Sequence, residues 1–118
     1  MVAMKMLQPS KELAETHYAD LAGKGFFGDL CDFLSSSPVV AMVWKGMDVV
    51  KTGRTMIAAT DPLKSLPGSI RGDYSIVLGK NIIHGSDSVE SAQKEIDLWF
   101  KTEELCLYKK TMNTWIYE

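Results

Sequence analysis

The sequence predicts an α/β domain of the α+β sandwich type, and three observations predict it. The run Val39-Val40-Ala41-Met42-Val43-Trp44 is continuously apolar and rich in β-branched residues, and it follows the turn signal Ser35-Ser36-Ser37-Pro38. Val89, Ala92, Ile96 and Phe100 recur at the spacing of one helix face. The elements then alternate as strand, helices, strand, helix, strand, helix, an order that packs helices on a sheet.

Taken in order, Val2 to Leu7 is an apolar strand. Pro9-Ser10 opens a helix with Ser10 as its N-cap. Leu13, Ala14, Tyr18 and Leu21 share one face of Lys11 to about Ala22, and Gly23 and Gly25 are expected to end it. Phe26, Phe27, Leu30, Phe33 and Leu34 set a second short helix. The Val39–Trp44 strand is expected to be buried on both faces. Asp48 is expected to cap a third helix running to Ile57, and Thr60 to Gly68 is a breaker-rich loop. Ser69 to Leu78 is ambiguous: its β-branched residues favour a strand, and Arg71-Gly72-Asp73 fits one poorly. Asn81 to His84 is expected to be a short strand, broken by Gly85-Ser86-Asp87. Asp87 and Glu90 resemble a capping box ahead of a helix from Ser88 to about Phe100. Thr102 to Leu105 adds one turn, and the end through Trp115 to Glu118 is tail-like. No internal repeat or linker divides the 118 residues, so a single domain over 1–118 is expected.

Composition narrows the class. With 46% hydrophobic and 24% charged residues, the chain is an ordinary globular protein, not a disordered or collagenous one. Thirteen Lys and Arg against fifteen Asp and Glu leave a charge of −2, which argues against a nucleic-acid binder. No apolar run approaches the ~18 residues of a membrane span, and the first residues lack a signal-peptide cleavage pattern, so a cytoplasmic protein is expected. Cys31 and Cys106 are expected to be reduced and buried. Two histidines without zinc-ligand spacing predict no protein-held metal.

Three features could carry chemistry. His84 ends an apolar segment beside Gly85 and a helix start. A side chain there can attack or accept a proton near neutral pH, or it can be a structural histidine bonded to backbone. Arg54 and Arg71, with Lys80 and Asn81, offer phosphate-binding groups, although spacing alone cannot bring them together. Phe26, Phe27 and Tyr18 could stack on a base or fill the core. There is no Walker-type phosphate loop and no serine elbow.

The stretches HYADL (His17–Leu21), GFF (Gly25–Phe27), SSSPVVAMVW (Ser35–Trp44), VVKTGRTMIAATDP (Val49–Pro62), LPGSIRGD (Leu66–Asp73), NIIHGSDSVESA (Asn81–Ala92) and the WIYE ending resemble the nucleoside diphosphate kinases along the whole chain. The pairing of NIIHGSD with an upstream SIRGD is highly specific, and the ending resembles the eukaryotic branch. The resemblance implies a ferredoxin-like βαββαβ antiparallel sheet with helices. It implies transfer of the γ-phosphoryl group of a nucleoside triphosphate to a nucleoside diphosphate, in two ping-pong steps through a phosphohistidine at His84. By the same resemblance Arg54, Thr60, Arg71 and Asn81 hold the phosphates and ribose. Phe26 stacks on the base opposite Leu78. Tyr18, Ser86 and Glu95 are supporting residues, with Glu95 orienting the imidazole. Mg²⁺ accompanies the nucleotide, ATP among others, and subunits form homo-oligomers, most simply hexamers.

The family also opens with a strand bearing a V-K-P-D-G-type lysine motif and a helix, which have no counterpart in these 118 residues. The domain is therefore expected to be N-terminally incomplete and weakened. Losing one transition-state donor costs about 10²–10³ in rate. The alternative expectation is a catalytically impaired subunit that associates with full-length relatives.

Overall fold

The computed structural model describes residues 1–80 and 82–117. Ala3–Leu7 (β1) pairs antiparallel with Val39–Val43 (β2), Ala3 opposite Val43 and Leu7 opposite Val39. Side chains alternate across a pleated strand, so Ala3, Lys5, Ala41 and Val43 share one face. That face is covered by the C-terminal end of Val89–Trp99 (α5). Ala3, Val43 and Phe100 are buried together, with Val2, Ala41, Ile96, Trp99 and Leu105 packed around them. Removing the Phe100 ring from water contributes about 2–3 kcal/mol. Lys5 crosses the same face, its ammonium 4.7 Å from the Phe100 ring centroid and 3.0 Å from Glu104.

The opposite sheet face is open. Met4 is 62% and Met6 72% exposed, opposite the exposed Met42 and Val40. The expectation that the Val39–Trp44 strand is buried on both faces is therefore wrong. An apolar run does not by itself say how many layers cover it, and Trp44 lies beyond the strand in any case.

Between the strands run Lys11–His17 (α1) and Phe27–Leu34 (α2), which pack on each other with Ala14 and Cys31 fully buried. Ser10 caps α1 as expected, accepting from the Leu13 amide at 3.0 Å. The helix stops at His17, earlier than the expected Ala22, because Ala19–Leu21 tighten into a 3₁₀ turn ahead of the glycines. Both thiols are free: Cys31 is buried as expected, whereas Cys106 is exposed.

After β2 comes Val49–Ile57 (α3). Asp48 precedes it at φ 50° and makes no side-chain cap, contrary to expectation. Beyond α3, Ala58 sits at φ 81°, ψ −158°, backbone space that is essentially reserved for glycine. Ala58→Gly should accordingly raise stability by about 1 kcal/mol, read as a higher urea midpoint. An unchanged or lower midpoint would mean that the Ala58 methyl contributes more than its strain costs.

Ser69 resolves the ambiguous stretch in favour of a helix, Ile70–Tyr74 (α4). Its hydroxyl accepts from the Gly72 amide at 3.2 Å. Gly72 is needed there because a Cβ would run into the Leu66 carbonyl oxygen. Leu78–Lys80 is a 3₁₀ turn. The short strand expected at Asn81–His84 does not form over its described residues, Ile82 to His84. The sheet among the described residues has two strands, and β propensity needs a neighbouring strand to become a ladder. Ser88, not Asp87, caps α5, accepting from the Ser91 amide at 3.0 Å. Thr102–Glu104 forms the expected extra turn. Asn113–Ile116 (α6) is a short helix where a tail was expected. Among the described residues no helix is long and apolar enough to cross a membrane.

Candidate active site

His84 lies on the segment between the 78–80 turn and α5, with its side chain 51% exposed. Its Nε2 is 2.6 Å from Glu95 Oε1. An ionised carboxylate can only accept, so Nε2 carries the proton and Nδ1 keeps a lone pair. Glu95 stands on α5, seven residues beyond the Ser88 cap, on the helix side that faces this segment. Its second oxygen accepts from the Ser86 hydroxyl. One carboxylate thus ties both His84 and Ser86 to the helix, and the imidazole has a fixed direction.

The backbone on both sides of His84 is held by arginines. Arg71, on α4, donates from Nη2 to the Ile83 carbonyl at 2.8 Å and from Nη1 to the Ala59 carbonyl at 3.1 Å. Arg54, on α3, donates from Nη1 to the Gly85 carbonyl at 2.9 Å. These main-chain carbonyls, which no strand partner takes up, accept instead from guanidinium groups. Arg71 is 4% exposed, and its Nε has no hydrogen-bond partner among the described residues. Burial, and then the nearby Arg54 charge, hold its pKa below the ordinary arginine value. Two converging cations make the surroundings of His84 favourable for an anion. Gly85 permits the approach to α3: a Cβ there would lie 2.6 Å from Ile57 Cδ1.

The structure thus assembles His84, Ser86, Glu95, Arg54 and Arg71 around one segment. Tyr18 joins through His17, whose ring it meets edge-on at 4.8 Å. Burial, with Cys31 and Glu95 nearby, pushes the Tyr18 hydroxyl above its ordinary pKa. Phe26 (51% exposed, at the start of α2), Leu78 (54% exposed, on the 78–80 turn) and the exposed Thr60 stand on other segments, outside this hydrogen-bonded network. Asn81 lies outside the described residues.

Two site residues were not legible in the sequence as parts of it. His17 and Trp99 are 82 positions apart, yet the Trp99 indole donates to His17 Nδ1 at 3.0 Å, and the His17 ring lies 4.8 Å from that of His84. His17, His84 and Glu95 bring potential metal-ligand atoms within 4.8 Å of one another. The atoms a cation would need are already engaged, His17 Nδ1 by Trp99 and His84 Nε2 by Glu95, so the cluster is a hydrogen-bonded network.

The model of the family described as nucleoside diphosphate kinase matches residues 1–105. A nucleoside diphosphate kinase of Brugia malayi is 58% identical over 118 residues, all of this chain and 77% of that protein. Nucleoside diphosphate kinase B of Bos taurus is 59% identical over 118 residues, again all of this chain and 78% of that protein. Among solved structures, a halophilic nucleoside diphosphate kinase from Halobacterium salinarum in complex with CDP superposes with a TM-score of 0.93 at 42% identity. It covers 100% of this chain and 79% of that one. A family protein from Babesia bovis gives 0.91 at 40% identity, over 98% of this chain and 78% of that one. The likeness carries the ferredoxin-like α+β architecture expected from the sequence, and identity and matched length together establish that the chain belongs to the nucleoside diphosphate kinase family.

Proposed function

We propose that this chain transfers the γ-phosphoryl group of a nucleoside triphosphate to a nucleoside diphosphate through a covalent phosphohistidine at His84 Nδ1. The observation that carries this reading is the tether of His84 Nε2 to Glu95 at 2.6 Å, which leaves Nδ1 unprotonated on a half-exposed ring. In the first half-reaction Nδ1 bonds to the γ-phosphorus. The bond from that phosphorus to the β–γ bridging oxygen breaks, and the diphosphate leaves with the electron pair. In the second, a terminal oxygen of another diphosphate attacks the phosphorus, and the P–N bond returns its electrons to Nδ1. Splitting the transfer in this way gives ping-pong kinetics. Glu95 stabilises the positive charge that builds on the ring as the P–N bond forms.

The identity across the whole chain favours the kinase over the alternative of a catalytically impaired associating subunit. Arg54 and Arg71 supply positive charge where the transferred group gathers negative charge, and phosphoryl transfer is chiefly positioning and charge stabilisation. In the same reading Thr60 and Asn81 hold phosphates and ribose, and Phe26 and Leu78 sandwich the base. The CDP held by the Halobacterium relative supports a nucleotide as substrate. Magnesium belongs to the substrate, as the nucleotide complex: a hard cation needs oxygen ligands, and Glu95 is already shared between His84 and Ser86. A single domain over 1–118, a cytoplasmic location and assembly as a homo-oligomer complete the reading. The open apolar face of Met4, Met6, Val40 and Met42 supports the assembly.

The test is incubation of the chain with γ-labelled ATP and Mg²⁺, then with an unlabelled diphosphate of a different base. Expected is protein-bound label, labile in acid and stable in alkali as a P–N bond is, which then appears on the second nucleotide. Label that stays on the protein, or none on folded protein, overturns the reading.

A further inference from the structure

His17 is a buried titratable group for which the transfer mechanism has no task. It ends α1 with its side chain 5% exposed, edge-on to His84 with ring centroids 4.8 Å apart and planes at 81°. On its other sides it meets Tyr18 at 4.8 Å and Trp99 at 5.5 Å, both edge-on. Trp99 Nε1 donates to His17 Nδ1 at 3.0 Å. An indole N–H can only donate, so Nδ1 must present a lone pair. A neutral His17 then carries its one proton on Nε2, and a doubly protonated ring would set N–H against N–H. The other ionisable groups facing the ring are His84 and Glu95, whose Oε1 lies 3.8 Å from Nδ1. A cavity of about 80 Å³ beside the ring adds Asp20 from the turn after α1 and Lys94 from α5. Burial lowers the His17 pKa, the neighbouring His84 lowers it further, and Glu95 opposes them.

We propose that Trp99 and His17 are positioning residues for phosphoryl transfer: the indole locks His17 as a neutral ring, and this keeps Glu95 committed to His84. The proposal rests on the reading of His84 as the nucleophile. A charged His17 would draw away the Glu95 oxygen that orients His84. It would also set a cation against the ring that must attack. Trp99 prevents both by withdrawing the site where the second proton would go. The sign follows from linkage: the fold binds neutral His17 more tightly than protonated His17, so its contribution is complete above the ordinary histidine pKa and is lost as pH falls below it.

Two measurements test this on the full chain. Nitrogen NMR of the histidine rings should show His17 protonated on Nε2 alone, and still neutral at about pH 6, where a free histidine is largely charged. A proton on Nδ1, or titration at the ordinary histidine pH, overturns the lock. In kinetics, Trp99→Phe should move the acid limb of phosphoenzyme formation up by about one pH unit, so that the loss at about pH 6 exceeds that at about pH 8 by roughly threefold. Adding His17→Phe, which keeps a ring but cannot be charged, should move the acid limb back. A loss by the same factor at every pH, or a double variant as acid-sensitive as Trp99→Phe, overturns the proposal. If Trp99→Phe does not fold, the wild-type tautomer decides. If wild type takes up no phosphoryl group the kinase reading fails, and the tautomer still tests the lock separately.

Discussion

His84→Ala is expected to abolish the phosphoenzyme and to lower phosphoryl exchange between nucleotides by about 10⁴-fold or more, the scale seen when a covalent nucleophile is deleted. The effect should be confined to chemistry. The side chain is half exposed on an irregular segment, so its removal empties no core. The backbone on either side stays held by Arg71 and Arg54, and Glu95 keeps the Ser86 hydroxyl. The stability change should therefore stay within about 1 kcal/mol. Label uptake and a urea melt on the same preparation separate the two effects. Acid-labile label persisting in His84→Ala would place the nucleophile elsewhere. A large fall in the melt would mean that the ring supports the fold, and the activity loss would then say little about mechanism.

Much of this fold was legible because its signals are local. Ser10 caps the helix that follows it as its type and position predict, and the Val89–Phe100 periodicity delivers α5 with Glu95 on the side that faces His84, although the cap of α5 falls on Ser88 and not one residue earlier on Asp87. Legibility ends where a partner distant in sequence decides the outcome. Ile82 and Ile83 favour a strand, and what the Ile83 carbonyl meets instead is Arg71, from a helix twelve positions upstream. Asp48 is a residue type suited to a cap, but it sits in a left-handed backbone conformation instead of the extended one a cap uses, and it makes no cap bond. The arginines were visible as phosphate-binding types, yet only the fold sets one on each side of His84. Resemblance supplied the site residues, and it did not supply His17 or Trp99. No spacing rule connects positions 17 and 99; they meet because α1 and α5 pack on each other.

Arg71→Met should have the second large effect, and on two properties at once. The resemblance makes Arg71 a phosphate-binding residue. The structure shows it almost wholly buried, with Nη1 and Nη2 both engaged by main-chain carbonyls. A hydrogen bond from a charged donor contributes about 1.5–3 kcal/mol, and an acceptor left buried without a partner costs about 1–3. Methionine fills the aliphatic volume and returns neither bond, so a loss of about 3 kcal/mol is expected in the urea melt, together with a fall in phosphoenzyme formation. Arg71→Lys should recover little of either, because one ammonium cannot span the Ala59 and Ile83 carbonyls as the planar fork does. Arg54→Met is the internal control: Arg54 is less buried and holds a single carbonyl, so its stability loss should be the smaller. If Arg71→Met abolished labelling while leaving the melt of the free protein unchanged, Arg71 would act on the phosphate alone. The expected pattern has both properties falling together. It follows from a guanidinium that shapes the His84 segment before any nucleotide arrives, with Nε as its one nitrogen still without a partner among the described residues.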